Sequence, residues 1–218
     1  EKGQGSIEKM SMAFDNKKFD MSLNGFTAGS GKDYVKLDEF SLKGFNWAPS
    51  AEAITKFAAL NEEEMENFPF TTMLPEFGTI VVKGIEADVP YDNNANDDID
   101  IEDEDGNPAP KPDGLPHRLK IGVKSYEVAL NKPVNGIPSD IRIAYEDMSL
   151  PVPADSSEEI YQQLRKLGYE RVTISSNLEA NWDEPTQSLI IKDISLSGKD
   201  MGKISMSGLM GGFSKEFF

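Results

Sequence analysis

The side chains that most often carry out catalysis are scarce in this chain. It has no cysteine and one histidine, His117. A cysteine nucleophile, a thiolate zinc site and a multi-histidine metal cluster are therefore excluded. His117 is the one imidazole that could serve a serine as general base, and the sequence has no Gly-x-Ser-x-Gly turn to present such a serine. Because His117 follows a proline beside an acidic run, we interpret it as an exposed side chain.

Carboxylates are abundant, with 38 Asp and Glu against 22 Lys and Arg and a formal charge of −16. The segment 91–116 holds nine acidic residues and one lysine, a charge of −8. Aligning it with an EF-hand on Gly106 places Ile101 at the first position and Pro112 at the twelfth, so the calcium motif fails. We predict a flexible acidic loop.

Adjacent carboxylates could also act together, as the two acids of a glycoside hydrolase do. Asp38 with Glu39 and Glu146 with Asp147 are such pairs. A chain with this many acidic residues contains neighbouring carboxylates by chance. We therefore expect these pairs to be solvated and assign them no catalytic role.

The segment 29–32, Gly-Ser-Gly-Lys, resembles the end of a phosphate-binding loop. That motif needs an earlier glycine where Phe26 stands and a hydroxyl where Asp33 stands. We interpret the segment as a turn. No enzyme signature remains, so we predict no enzyme and no cofactor, with a hydrolase as the least favoured alternative.

The charge also argues against nucleic acid as a partner, because phosphate binding needs a clustered basic surface. No apolar run approaches the length of about 20 residues that spans a bilayer, so we predict no transmembrane segment in this chain. The chain opens at Glu1 without a methionine. We expect that a signal peptide was removed, and that the chain either continues beyond Phe218 or packs its end back onto the domain.

Apolar residues alternate with polar ones along most of the chain, which predicts β-strands. A change of phase at Asp38-Glu39 predicts a bulge there. Short polar turns between the segments favour an antiparallel meander. The predicted strands are 6–14, 19–26, 34–45, 77–89, 118–130, 139–150, 170–182, 188–197 and 203–209.

Two segments have helical periodicity. The first helix is predicted within 50–66, with Ser50 as its N-cap before Ala51–Leu60. The second, 156–168, begins with a Ser-x-x-Glu capping box and ends at Gly168. Both have a polar outer side, so we expect each helix to lie against a sheet.

The segments that precede these two helices in the chain have similar sequences. Segments 37–42 and 145–150 each carry an acidic pair, a large apolar residue and then Ser-Leu. This pattern favours an internal duplication, although strands of similar composition could produce it by coincidence. We predict a mainly β, α+β fold with two short helices and one or more curved antiparallel sheets. It has two similar strand–helix–strands halves, 1–90 and 117–218, joined by the acidic loop 91–116.

The apolar residues are the most informative about function. Nine methionines and twelve phenylalanines occur, many on strand faces, and methionine suits adaptable hydrophobic surfaces. A curved sheet with a helix beside it could leave a groove for an acyl chain, whereas the alternative is that these side chains form an ordinary core. The candidate ligand-binding residues are Met10, Met12, Met21, Phe40, Phe57, Met148, Leu164 and Met206.

The last third of the chain resembles a strand pattern of bacterial envelope proteins. The similarity lies in Leu-Gly-Tyr-Glu-Arg-Val at 167–172, Trp-Asp-Glu-Pro at 182–185 and the Gly/Ser/Leu-rich strands 189–198 and 201–208. Those proteins are secreted and β-rich and have largely unassigned functions, and some are similar to families with tubular or taco-shaped lipid-binding sheets. The resemblance implies a periplasmic or envelope location and this style of fold, and it carries over no site residue.

These observations favour a non-enzymatic periplasmic or envelope protein that binds a lipid or another hydrophobic ligand between sheet and helix. The alternative is an interaction or assembly module that recognises an envelope protein through a sheet edge or the acidic loop.

Overall fold

The structure, a computed structural model, describes residues 3–15, 17–90, 118–153 and 158–212. Ten strands in these ranges form one curved antiparallel sheet. The strands are β1 (Gln4–Ser6), β2 (Lys9–Asp15), β3 (Lys18–Ser30), β4 (Asp33–Phe45), β5 (Gly78–Pro90), β6 (Arg118–Val134), β7 (Ile137–Pro151), β8 (Arg171–Asp183), β9 (Ser188–Gly198) and β10 (Gly202–Gly211).

The sheet follows the order of the chain. β1 and β2 both pair with β3 on the same side, and β4 to β10 then follow one another. Each predicted strand overlaps one of β2 to β10, and the predicted fold class, mainly β with short helices and a curved antiparallel sheet, is confirmed. β5 pairs directly with β6, so the two predicted halves share one sheet. Segments 37–42 and 145–150 lie on β4 and β7, and the duplication itself stays a prediction.

The described residues form three α-helices, one more than predicted: α1 (Ala48–Phe57), α2 (Glu62–Glu66) and α3 (Glu159–Lys166), with a 3-10 helix at Phe70–Met73. The prediction of Ser50 as an N-cap is wrong, because α1 begins earlier. The side-chain oxygen of Asn46 accepts a hydrogen bond from the backbone N–H of Ala48 at 3.0 Å, and Pro49 lies in the first turn. Ser50 is instead inside the helix and fully buried.

The predicted end of α3 is confirmed. Gly168 has a φ of +88°, its N–H donates to the carbonyl of Arg165, and the N–H of Tyr169 donates to the carbonyl of Leu164. This pair of bonds is a Schellman motif, which suits glycine. The predicted capping serine, Ser156, lies outside the described residues, as do His117 and the acidic loop 91–116.

The expectation that each helix packs its apolar side on a sheet is wrong for α3. No residue of α3 is buried, and Ile160 and Leu167, on either side of this helix's half-buried Leu164, are 59% and 74% exposed. The apolar stripe of α3 therefore faces solvent. No helix in the described ranges has the length and hydropathy needed to cross a bilayer.

The predicted bulge at Asp38-Glu39 is also wrong, because the pairing of β4 with both neighbours keeps one register through this point. The two neighbouring strands change phase at the same level, each at a glycine of its own. Gly25 of β3 and Gly84 of β5 lie opposite Asp38 and have φ values of +64° and +62°. Two-residue alternation needs extended backbone, and these glycines interrupt it without adding a residue.

The helices between β4 and β5 stand at one end of the sheet. Phe57 of α1 contacts Phe68 and Phe70, with ring centroids 5.1 and 5.4 Å away. The backbone of Thr71 lies directly against Gly136, in the turn between β6 and β7. The connection is therefore anchored on a hairpin turn.

The described part of the molecule has almost no conventional core. Its buried apolar residues are small: Ala53, Ala87, Ala129, Val152 and Ala180. Among the described residues, Ser50 is the one side chain with less than 2% exposure, and it too is small. A sheet with an apolar face normally buries that face against a second layer, and here the larger apolar side chains remain at least partly accessible.

Candidate functional site

One row of apolar side chains crosses the whole sheet. Strand pairing places one residue from each of nine strands side by side, and directly paired residues share a face. Every member is aliphatic or methionine. The row, called here the long row, is Met12, Met21, Leu42, Ile80, Val128, Ile143, Leu178, Ile194 and Met206.

A second row lies beside it on the same face, two residues along each strand. It contains one polar residue, Ser176. Its members are Met10, Leu23, Phe40, Val82, Tyr126, Tyr145, Ser176, Leu196 and Ile204. The two rows define what we call the apolar face.

The opposite face has a different chemistry. The residues that alternate with the two apolar rows form a third row, of which five are serines. The row is Ser11, Ser22, Ser41, Val81, Glu127, Ala144, Asn177, Ser195 and Ser205. We call this side the polar face. The sheet is thus amphipathic across its full width.

The apolar face is accessible. None of the eighteen residues in its two rows is buried. Tyr126 and Ile143, on the central strands, are 38% and 39% exposed, and Leu196 is 50% exposed. Isolated exposed apolar residues are common on proteins, but a continuous patch of this extent marks an interaction or ligand-binding surface.

The structure places six of the eight candidate ligand-binding residues on this face. Met12, Met21 and Met206 belong to the long row, and Met10 and Phe40 to the second. Met148 pairs with Ile174, which lies on the same side of β8.

The other two candidates lie elsewhere. Phe57 contacts the aromatic rings of the 3-10 helix connection, and Leu164 is on α3, half-buried. Neither belongs to the rows, and no described helix packs along the apolar face. What the sequence did not identify is the lateral continuity of the rows.

Charged side chains on the polar face are paired between strands. Lys83 lies 2.9 Å from Glu39, and Lys192 lies 3.0 Å from Glu179. In each of the two carboxylate pairs considered from the sequence, one carboxylate is bound by a lysine of a neighbouring strand. Glu39 binds Lys83, while Glu146 binds Lys124 and its pKa is lowered by that hydrogen bond. The arrangement is typical of a solvated structural face.

A buried carboxylate lies at the end of this face. Asp88 accepts from Arg118 at 2.7 Å and lies 3.1 Å from Lys120. Burial by itself raises the pKa of Asp88, but the hydrogen bonds and charges of Lys120 and Arg118 outweigh it, so the pKa lies below its usual value. Arg118 also binds Asp33 at 2.8 Å, which ties the first residue of β4 to β6.

A shallow cleft of about 280 Å³ on the polar face contains a hydrogen-bonded group. Asp193 accepts from Asn177 at 2.8 Å and from Ser195 at 2.9 Å, and these bonds hold the pKa of Asp193 below its ordinary value. Within residues 3–15, 17–90, 118–153 and 158–212, no three His, Cys, Asp or Glu side chains are grouped so that they could hold a metal ion.

Fold and site together define a class of protein: a single curved antiparallel sheet with one polar face and one accessible apolar face. No protein-family model, curated protein or solved structure matches this chain. The function therefore has to be inferred from the apolar face itself.

Proposed function

We propose that this protein binds a lipid, with the acyl chain lying on the apolar face. The observation that carries the proposal is the long row, which is apolar on nine consecutive strands and has no buried member. Methionine, leucine, isoleucine and valine offer dispersion contacts without hydrogen-bonding demands, as an acyl chain requires.

The dimensions suit such a ligand. With neighbouring strands about 4.8 Å apart, nine strands give a row about 38 Å long. One leaflet of a bilayer has a hydrocarbon thickness of about 15 Å, half of a core of about 30 Å. An extended acyl chain therefore fits along the row with all its methylene groups in contact with protein.

The energetics favour long chains over short ones. Burying one methylene group stabilises a complex by about 0.8 kcal/mol, while association costs about 4–15 kcal/mol. Palmitate has four more methylene groups than laurate. We expect palmitate to bind at least tenfold more tightly, with an upper limit of about 200-fold if all four groups are fully buried.

The chain contains its own reporter for this binding. Trp182 pairs with Leu189 on the apolar face, whereas Trp47, the other tryptophan, is exposed at the start of α1. In the variant Trp47→Phe, a blue shift of the remaining tryptophan emission on titration with oleate is expected. Native mass spectrometry of the purified protein tests whether a lipid is already bound.

Two neighbouring valines supply matched variants. Val82 lies on the apolar face between Phe40 and Tyr126, and Val81 lies on the polar face between Ser41 and Glu127. Val82→Lys is expected to weaken oleate binding at least tenfold, because the ammonium group loses hydration under an acyl chain. Val81→Lys is expected to change it less than twofold. Equal effects of the two variants, or no oleate binding by the folded parent, would contradict the proposal.

The periplasmic or envelope location implied by the resemblance is part of this proposal. Cell fractionation of the source organism with an antibody against the chain tests it. Recovery from the cytoplasm would overturn the location and leave the lipid-binding experiments as the test of the ligand.

A further inference from the structure

The outer edge of β10 is the least protected part of the sheet. All ten residues of β10 are exposed, and β9 is its one partner among the described strands. Ile204 and Leu209 are 78% and 68% exposed. An apolar edge strand of this length presents a row of unpaired backbone groups to any strand that can align with it.

The usual protections of an edge strand are missing from β10. It contains no proline and one charged residue, Lys203. The irregularity in its pairing with β9 comes from an extra residue in β9, between Ile191 and Ile194, so β10 itself is regular. The positive φ angles of Gly202 and Gly212 occur only at its two ends.

The opposite edge of the sheet is protected. It is divided into β1 and β2, and the side chain of Glu8, in the break between them, lies against Gly25. β2 also begins and ends with charged residues, Lys9 and Asp15. The contrast singles out β10 as the edge suited to pairing.

We propose that β10 pairs antiparallel with β10 of a second copy of this chain, about a twofold axis at Met206. This register places Ile204 opposite Gly208 of the other copy and Ser205 opposite Ser207. Lys203 lies opposite Leu209, so no like charges meet. An axis perpendicular to the sheet keeps both apolar faces on one side, and the long row continues through the two Met206 side chains.

The symmetry favours this arrangement over the alternative of β10 pairing with β2 of a second copy. β2 and β10 run in the same direction, since each neighbour between them is antiparallel. Joining copies in one orientation would make a parallel pair, which is less stable per residue, and would leave an open-ended assembly. The β10–β10 pair is antiparallel and closed.

Disulfide formation tests the register directly, because the chain has no cysteine of its own. Met206 and Met12 are the same residue type with the same exposure, 59%, on opposite edges of the sheet. At the twofold axis the two Cα atoms of residue 206 lie about 4.5–5.5 Å apart, within the range for a disulfide. Met206→Cys is therefore expected to form a covalent dimer under mild oxidation, and Met12→Cys is not.

Sedimentation velocity of the unmodified chain at physiological salt measures the assembly. A species of twice the 24.1 kDa chain mass is expected. Met206→Lys places two ammonium groups face to face and is expected to leave a monomer, whereas Met12→Lys is expected to leave the dimer. A monomeric parent overturns the proposal. So does a disulfide formed between Met206→Cys and Met12→Cys chains in preference to Met206→Cys alone. Neither outcome depends on a lipid, so failure here is distinct from failure of the proposed function.

Discussion

Replacing Gly136 with alanine should release the α1 connection from the sheet. Gly136 has a φ of +85°, and a Cβ at this position would overlap the backbone carbonyl of Thr71 in the 3-10 helix. Gly168 is a matched control, because its φ is +88° and a Cβ there would meet nothing within 4 Å. Both substitutions place an L-residue in a left-handed backbone conformation. Gly136→Ala also pushes against the backbone of Thr71, and Gly168→Ala does not.

The structure gives the size of the difference. Left-handed strain costs about 1–2 kcal/mol at either site. Overpacking against Thr71 adds about 1–3 kcal/mol for Gly136→Ala alone. Urea unfolding followed by circular dichroism measures both variants, and limited proteolysis within 58–77 should be faster in Gly136→Ala. If Gly136→Ala is no more destabilising than Gly168→Ala, the connection is not held on the hairpin turn as described.

Three further results are expected. Ser50→Ala should raise the free energy of unfolding by about 1 kcal/mol, because the buried Ser50 hydroxyl has no hydrogen-bond partner among the described residues; a lower melting temperature would contradict this. The pKa values of Asp140, Glu146 and Asp193 are lowered in the folded protein. Their stabilising effect is therefore complete above the ordinary values of 3.8 for Asp and 4.5 for Glu, and it is lost as the pH falls below them. Asp193→Asn should reduce the difference in unfolding free energy between neutral and acidic pH, and an unchanged difference would exclude Asp193 as a contributor. Deleting 92–113 should leave oleate binding unchanged. It should increase the unfolding free energy by no more than about 2 kcal/mol, because Pro90 and Arg118 already pair and the deletion only shortens the loop between them. If the full chain captures a cellular protein and the deletion variant does not, the segment binds that partner instead.

The strands were predictable because alternation is a local property. Met10 and Met12, or Ile141 and Ile143, reveal a two-sided strand without knowledge of any other strand. What alternation cannot supply is lateral register. That Met12 and Met206 belong to the same row depends on eight successive pairings, each fixed by turns and by side chains on neighbouring strands.

The errors at the helices have local causes. Two polar residues, Asn46 and Ser50, stand near the start of α1. The side-chain oxygen of Asn46, the earlier of the two, accepts the hydrogen bond from the N–H of Ala48. The capping box of α2, Asn61 with Glu64, was present in the sequence and could have identified that helix. Asn135-Gly136 likewise predicts the tight β6–β7 turn, whereas its contact with Thr71 could not be inferred from spacing.

The near absence of large buried side chains in the described sheet has a thermodynamic consequence. A protein with a filled core buries its apolar surface within its own chain, whereas here the proposed lipid would bury much of it. Stability and occupancy are then linked, and a ligand present at a hundred times its Kd adds about 2.7 kcal/mol to the free energy of unfolding. The melting temperature would then report how much lipid is bound. Removing the lipid should lower the melting temperature, and adding it back should restore it.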